Sequence, residues 1–117
     1  MFTWFLKKQE RLAKERSALT KLEEESVWLR GTNWRLIDGG LGVEVVLRVH
    51  EIDYEIIMVY PTYFPDAPPI VRPKNPEEPM WSTHQYRNGV LCLEWGPDNW
   101  HPEITGSQMI ESAYRLL

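Results

Sequence analysis

The sequence predicts an α+β domain in which a long helix, an antiparallel sheet and a second helix follow one another along the chain. Residues 2–25 contain no Gly or Pro and are rich in Leu, Lys, Glu, Arg and Ala, all strong helix formers. From Val27 onward the apolar residues switch to a period of two, which is the signature of strands. Six Trp and nine Pro, four of the prolines within residues 60–69, argue against a helical bundle. At 117 residues, 43% hydrophobic and 26% charged, the chain has the size and composition of a single globular domain covering residues 1–117.

In the first helix Phe5, Leu12, Leu19 and Leu22, with Phe2, Leu6 and Ala13 nearby, form an apolar stripe at helical spacing. Trp4 falls outside that stripe, which makes it either an exposed contact residue or a residue packed on the helix end. Lys7, Lys8, Arg11 and Lys14 recur at three- and four-residue intervals on one face. Residues 1–21 carry six cations against Glu10 and Glu15, so this segment is +4 on a chain of net charge −4. A basic helix on an acidic body is either a docking surface or a solvated face. So acidic a whole gives no support to nucleic-acid binding.

Residues 27–37 read as a first strand interrupted at Gly31-Thr32-Asn33, and Asp38-Gly39-Gly40 turns the chain. Val43, Val45, Leu47 and Val49 alternate with Glu44, Val46, Arg48 and His50, the pattern of a half-buried second strand. A turn at residues 51–53 leads to a third strand over residues 54–60, and Ile70 to Pro73 can pair as a fourth. These form a four-stranded antiparallel meander with one face under the helix. His50, at a strand end on the polar face, is expected to be solvated and receives no role. Thr105 with Gln108 three residues on is a capping box for a second helix, whose apolar face includes Met109, Ile110, Ala113, Tyr114, Leu116 and Leu117. That face is left unfinished at Leu117, as in a truncated domain or part of a longer chain.

Between the fourth strand and the last helix, residues 84–102 hold the only cysteine, Cys92. Asn88-Gly89 and Gly96-Pro97-Asp98-Asn99 are turn signals on either side of the short apolar run Val90 to Leu93. A thiol so placed is either core or nucleophile. A single cysteine cannot form an internal disulfide and fits a reducing, cytoplasmic setting. The N-terminal residues lack the arrangement of a signal peptide, and no apolar run approaches the ~20 residues of a membrane span. One Cys and three scattered His do not make a zinc site, and no third residue completes a Cys-His protease.

Taken together, the first helix, the meander, Tyr60-Pro61, Phe64-Pro65-x-x-Pro68-Pro69, Gly89-x-x-Cys92-Leu93, Trp100 and Pro102 resemble the ubiquitin-conjugating enzymes over nearly the whole chain. The resemblance implies a ubiquitin-conjugating-enzyme-like fold with an active-site loop. It implies that Cys92 accepts the C-terminal acyl group of a ubiquitin-like protein, or a similar tail protein, as a thioester and passes it to an amine of a protein or lipid target. Neither a cofactor nor a metal is implied. The partners implied are an activating enzyme, the ubiquitin-like protein and the target, with Lys7, Lys8, Arg11 and Lys14 as the activating-enzyme docking face. Phe64, Trp100 and Pro102 would shape the loop. Where the family carries an Asn eight residues before the Cys, this chain has His84, which could donate to an oxyanion, act as base toward the amine, or brace the loop. In that departure it resembles the divergent bacterial conjugating enzymes of antiviral operons. The alternative is a catalytically inactive binding or adaptor module of the same fold.

Overall fold

The computed structural model describes residues 3–117. Its elements run α1 (Trp4–Lys7), α2 (Gln9–Glu25), β1 (Leu29–Ile37), β2 (Gly40–Val49), β3 (Ile52–Val59), β4 (Ile70–Pro73) and α3 (Gly106–Leu116). The four strands pair antiparallel in sequence order, so the predicted meander forms. Val43 faces Met58 and Val45 faces Ile56 across β2 and β3. Alternation sends these side chains to one face of the sheet, where they join a core with Leu19, Val71, Met109, Ile110 and Ala113. The other face is polar. At its centre Glu44 accepts from Asn33 at 3.1 Å and Arg35 at 2.8 Å and lies 3.5 Å from Lys74.

The single long helix expected from the sequence is broken at Lys8, whose φ of −112° and ψ of 62° are not helical. The cause is tertiary. Trp4 is 2% exposed and packs against Tyr60 and Phe64 with ring centroids 5.2 and 4.6 Å away. Trp4 is therefore core and not an exposed contact, and the bend at Lys8 is what lets the first turn deliver it. Leu19 is buried and Phe5, Leu12 and Leu22 pack partly, whereas Leu6 and Ala13 are exposed; Phe2 lies outside the described residues.

Two turns also differ from expectation. Gly31 does not interrupt β1 but follows a bulge between Leu29 and Gly31, after which the ladder to β2 is continuous to Ile37. The β2–β3 connection is the two-residue turn His50-Glu51, both with positive φ (49° and 67°), and not residues 51–53. Two left-handed residues match the twist of a tight hairpin, and here neither is Gly or Asn, so the usual signal is missing. His50 is exposed in that turn.

A buried ionic cluster fixes the two helices to each other. The Glu15 side chain is fully buried on α2; its Oε1 accepts from the Tyr60 hydroxyl and from the Gly106 amide, each at 2.7 Å. Gly106 is the first residue of α3, so a carboxylate sits where the helix dipole is positive. A Cβ at Gly106 would lie 2.6 Å from the Tyr60 hydroxyl and 2.8 Å from Glu15 Oε1, which restricts this position to Gly. Burial, and then the Glu15 charge, push the Tyr60 hydroxyl well above the usual phenol range, so it stays a donor. Arg11 lies 3.2 Å from Glu15 Oε2, donates to the Pro102 carbonyl and to the Ile104 carbonyl at 2.6 Å, and stands 4.9 Å over the Phe64 ring. The expected capping box forms at α3, with the Thr105 amide donating to Gln108 Oε1 at 2.9 Å.

Candidate active site

Cys92 is carried by a short hairpin pinned to the sheet. The turn closes through the Gly89 amide to the Tyr86 carbonyl at 2.9 Å, and the arms join through Tyr86 N to Val90 O at 2.8 Å and Cys92 N to His84 O at 2.9 Å. Gly89 has φ of 93°, so the turn needs a residue without a Cβ there. Gln85 bridges Leu91 and donates its amide to the Gly89 carbonyl at 2.9 Å. The whole unit docks through the Leu91 amide, which donates to the Val71 carbonyl of β4 at 2.8 Å. Leu91 is 3% exposed and anchors the hairpin in the core, so alternation turns the next residue outward. The Cys92 thiol is accordingly exposed, and the core reading of it is excluded.

The register that pairs Gln85 with Leu91 sets His84 opposite Cys92 and Tyr86 opposite Val90, all four on the solvent face. Side chains of directly opposed residues start roughly 5 Å apart. Two of the three polar groups on this face, Cys92 and His84, were marked by the resemblance read in the sequence. The third, Tyr86, was not: it stands 3.8 Å from the Cys92 sulfur and is 58% exposed. The neutral thiol donates to the Tyr86 oxygen, and once the thiolate forms only the phenol hydrogen remains to be donated. The hydrogen bond with Cys92 and the negative charge of its thiolate form, followed by partial desolvation and the charge of Asp98, hold the Tyr86 hydroxyl above its usual value. Near neutrality it therefore stays protonated and can donate to the sulfur. Tyr86→Phe is expected to slow alkylation of Cys92 by iodoacetamide roughly threefold near neutrality, because the sulfur loses the hydroxyl that faces it at 3.8 Å. An unchanged rate would show that the hydroxyl does not act on the sulfur.

The segment after the thiol is held as firmly. Glu94 N donates to Ser112 Oγ of α3 at 2.9 Å, and Asn99 ties off the next turn by accepting from Gly96 N and donating to Glu94 O, each at 2.8 Å. Trp100 donates its indole hydrogen to the Pro65 carbonyl at 2.8 Å. Phe64 is fully buried next to it, their ring centroids 6.1 Å apart. The proline connector and Trp100 thus shape the loop. Pro102 contributes through its carbonyl, which accepts from Arg11.

The basic face of the first helices divides. Lys7, Lys8 and Lys14 are exposed, but Arg11 turns inward with its side chain 12% exposed, as described above. Among the described residues no group of three His, Cys, Asp or Glu is placed to hold a metal ion, and no helix is long and apolar enough to cross a membrane.

No family model matches the chain, and no curated protein matches it. Among solved structures, the human ubiquitin-conjugating enzyme E2 G1 matches with a TM-score of 0.59 at 19% identity, over 89% of this chain and 91% of that one. The likeness is one of fold: this chain has the architecture of a ubiquitin-conjugating enzyme, with its N-terminal helices, four-stranded antiparallel sheet and C-terminal helix.

Proposed function

We propose that the chain is a conjugating enzyme for a ubiquitin-like protein or similar tail protein. The observation that carries this reading is an exposed thiol on a hairpin anchored to a ubiquitin-conjugating fold, with His84 and Tyr86 on its face. In the first step the Cys92 thiolate attacks the thioester carbonyl presented by an activating enzyme; a new C–S bond forms and the activating enzyme's thiolate leaves. In the second, an unprotonated amine nitrogen attacks the Cys92 thioester, a C–N bond forms, the C–S bond breaks with its electron pair on the Cys92 sulfur, and the proton the nitrogen sheds passes to solvent. A thiol suits both steps because it is a good nucleophile and a good leaving group. His84 and Tyr86 are the side-chain donors on this face for the oxyanion that develops in each step.

Lys7, Lys8 and Lys14 supply the basic docking face for the activating enzyme, and Arg11 supports that face from within. Replacing the three lysines with Glu is expected to lower charging by the cognate activating enzyme at least tenfold while leaving the fold intact, the loss shrinking at high salt. Charging at the parent rate would refute the docking role. The His84 substitution supports a place among the bacterial conjugating enzymes of antiviral operons, acting in the cytoplasm. Incubation with the cognate activating enzyme, ATP and the tail protein should yield a reductant-sensitive adduct, absent in Cys92→Ala. If no adduct forms, a binding-module role takes its place.

A further inference from the structure

The two edges of the sheet differ. At one, β4 receives the Cys92 hairpin through the Leu91 amide, whereas at the other β1 is open. The Tyr60 amide, which continues the β3 ladder, donates to the Leu41 carbonyl at 3.0 Å. The odd-numbered residues of β2 therefore bond β3, and the even-numbered ones bond β1. Their partners on β1 are Gly31, Asn33, Arg35 and Ile37. Thr32, Trp34 and Leu36 in turn point their amides and carbonyls away from the sheet, and no described backbone group bonds them. Edge strands are blunted against pairing by Pro, Lys or unpaired charge. Residues 31–37 hold no Pro or Lys, and their one charge, Arg35, is neutralised by Glu44 at 2.8 Å. Leu36 is left 64% exposed on this edge.

We propose that this edge pairs with the same edge of a second copy of the chain, two antiparallel β1 strands joining the two sheets into one. The strand is self-complementary in a single register. The bulge between Leu29 and Gly31 limits its regular ladder to residues 31–37, whose midpoint is Trp34. A two-fold axis through that midpoint sets Trp34 against Trp34, Thr32 of one copy against Leu36 of the other, and Asn33 against Arg35. Thr32, Trp34 and Leu36 then exchange their outward amides and carbonyls. They pair with Val45, Val43 and Leu41 of β2, so the aromatic and apolar contacts fall on the core side and the polar pair on the other. Just beyond the ladder, Arg30 of one copy comes beside Asp38 of the other, at both ends. Both residues are exposed, and neither forms an ion pair among the described residues. Sliding one strand by two residues opposes Arg35 to Arg35; sliding it the other way parts Arg30 from Asp38. The closed two-fold arrangement leaves β4 and both thiols uncovered.

Sedimentation equilibrium of the full chain, under reductant so that no Cys92 disulfide contributes, reads the pairing. Two short strands make an interface below the standard size, so a dimer with a dissociation constant of about 10 µM is expected. Twice the chain mass should be seen at about 300 µM and the chain mass at about 1 µM. Leu36→Lys places a charge on the edge and should raise the constant roughly tenfold. Arg30→Asp should raise it about fivefold at low salt, which is what a charge pair ~4 Å apart in water is worth. Both residues are exposed, so the variants should melt as the parent does at about 1 µM. Register is read in a Cys92→Ala background: Asn33→Cys mixed with Arg35→Cys should cross-link on oxidation faster than either alone, because only the mixture opposes the two positions. A single chain mass at about 300 µM would overturn the pairing, as would a dimer indifferent to Leu36→Lys or cross-linking of either variant alone as fast as the mixture. No activating enzyme or tail protein enters these measurements, so the pairing and the conjugating reading fail separately.

Discussion

Arg11→Ala is expected to destabilise the protein by about 3–5 kcal/mol, the range for removing one partner of a buried ion pair. The substitution leaves the Glu15 carboxylate in a fully buried position without its counter-ion. It also removes the donors to the Pro102 and Ile104 carbonyls and the cation over Phe64. Against a total stability of ~5–15 kcal/mol, that is a large fraction. The double variant Arg11→Met with Glu15→Gln removes both charges and should recover much of the loss. Urea denaturation of the three proteins checks this, and a loss under about 1 kcal/mol for Arg11→Ala would show that the pair is dispensable.

His84→Ala is expected to slow acyl transfer from Cys92 by ~10²–10³, the effect of losing one well-placed oxyanion donor. Stability should be nearly unchanged, because the His84 side chain is exposed and the bond that braces the hairpin runs from Cys92 N to the His84 backbone carbonyl, which Ala retains. His84→Asn restores a donor and should recover part of the rate. Single-turnover discharge and thermal melts separate the roles: a melt that falls in step with the rate would make His84 a brace.

The sequence carried the meander, the proline connector and the capping box at Thr105 because each follows from local patterns that the packing does not override. The break at Lys8 was not legible, since no Gly or Pro marks it and its cause is the burial of Trp4 against residues more than fifty positions away. Glu15 and Arg11 belong to a run of charges on a helix, which reads as solvated. Only the arrival of the N-terminus of α3 and of residues 102–104 makes them interior. The turn at His50-Glu51 lacked glycine, so its place was set by strand register and not by turn chemistry. At the site, Cys92 stood out in a short apolar run between two turn signals, and His84 was marked only by the resemblance, at the position eight residues before the Cys. Tyr86 had a signal that went unused: two residues from His84 on a hairpin arm, it must share the face of Cys92.

The central claim is that Cys92 carries an acyl group in a ubiquitin-conjugating fold. Its most direct test is the intact mass of the protein after incubation with the cognate activating enzyme, ATP and the tail protein. The expected result is a mass increase equal to the tail protein less one water, reversed by excess thiol, absent in Cys92→Ala and retained as a thiol-resistant ester in Cys92→Ser. A mass increase that persists in Cys92→Ala, or none in the parent with a competent activating enzyme, would contradict it.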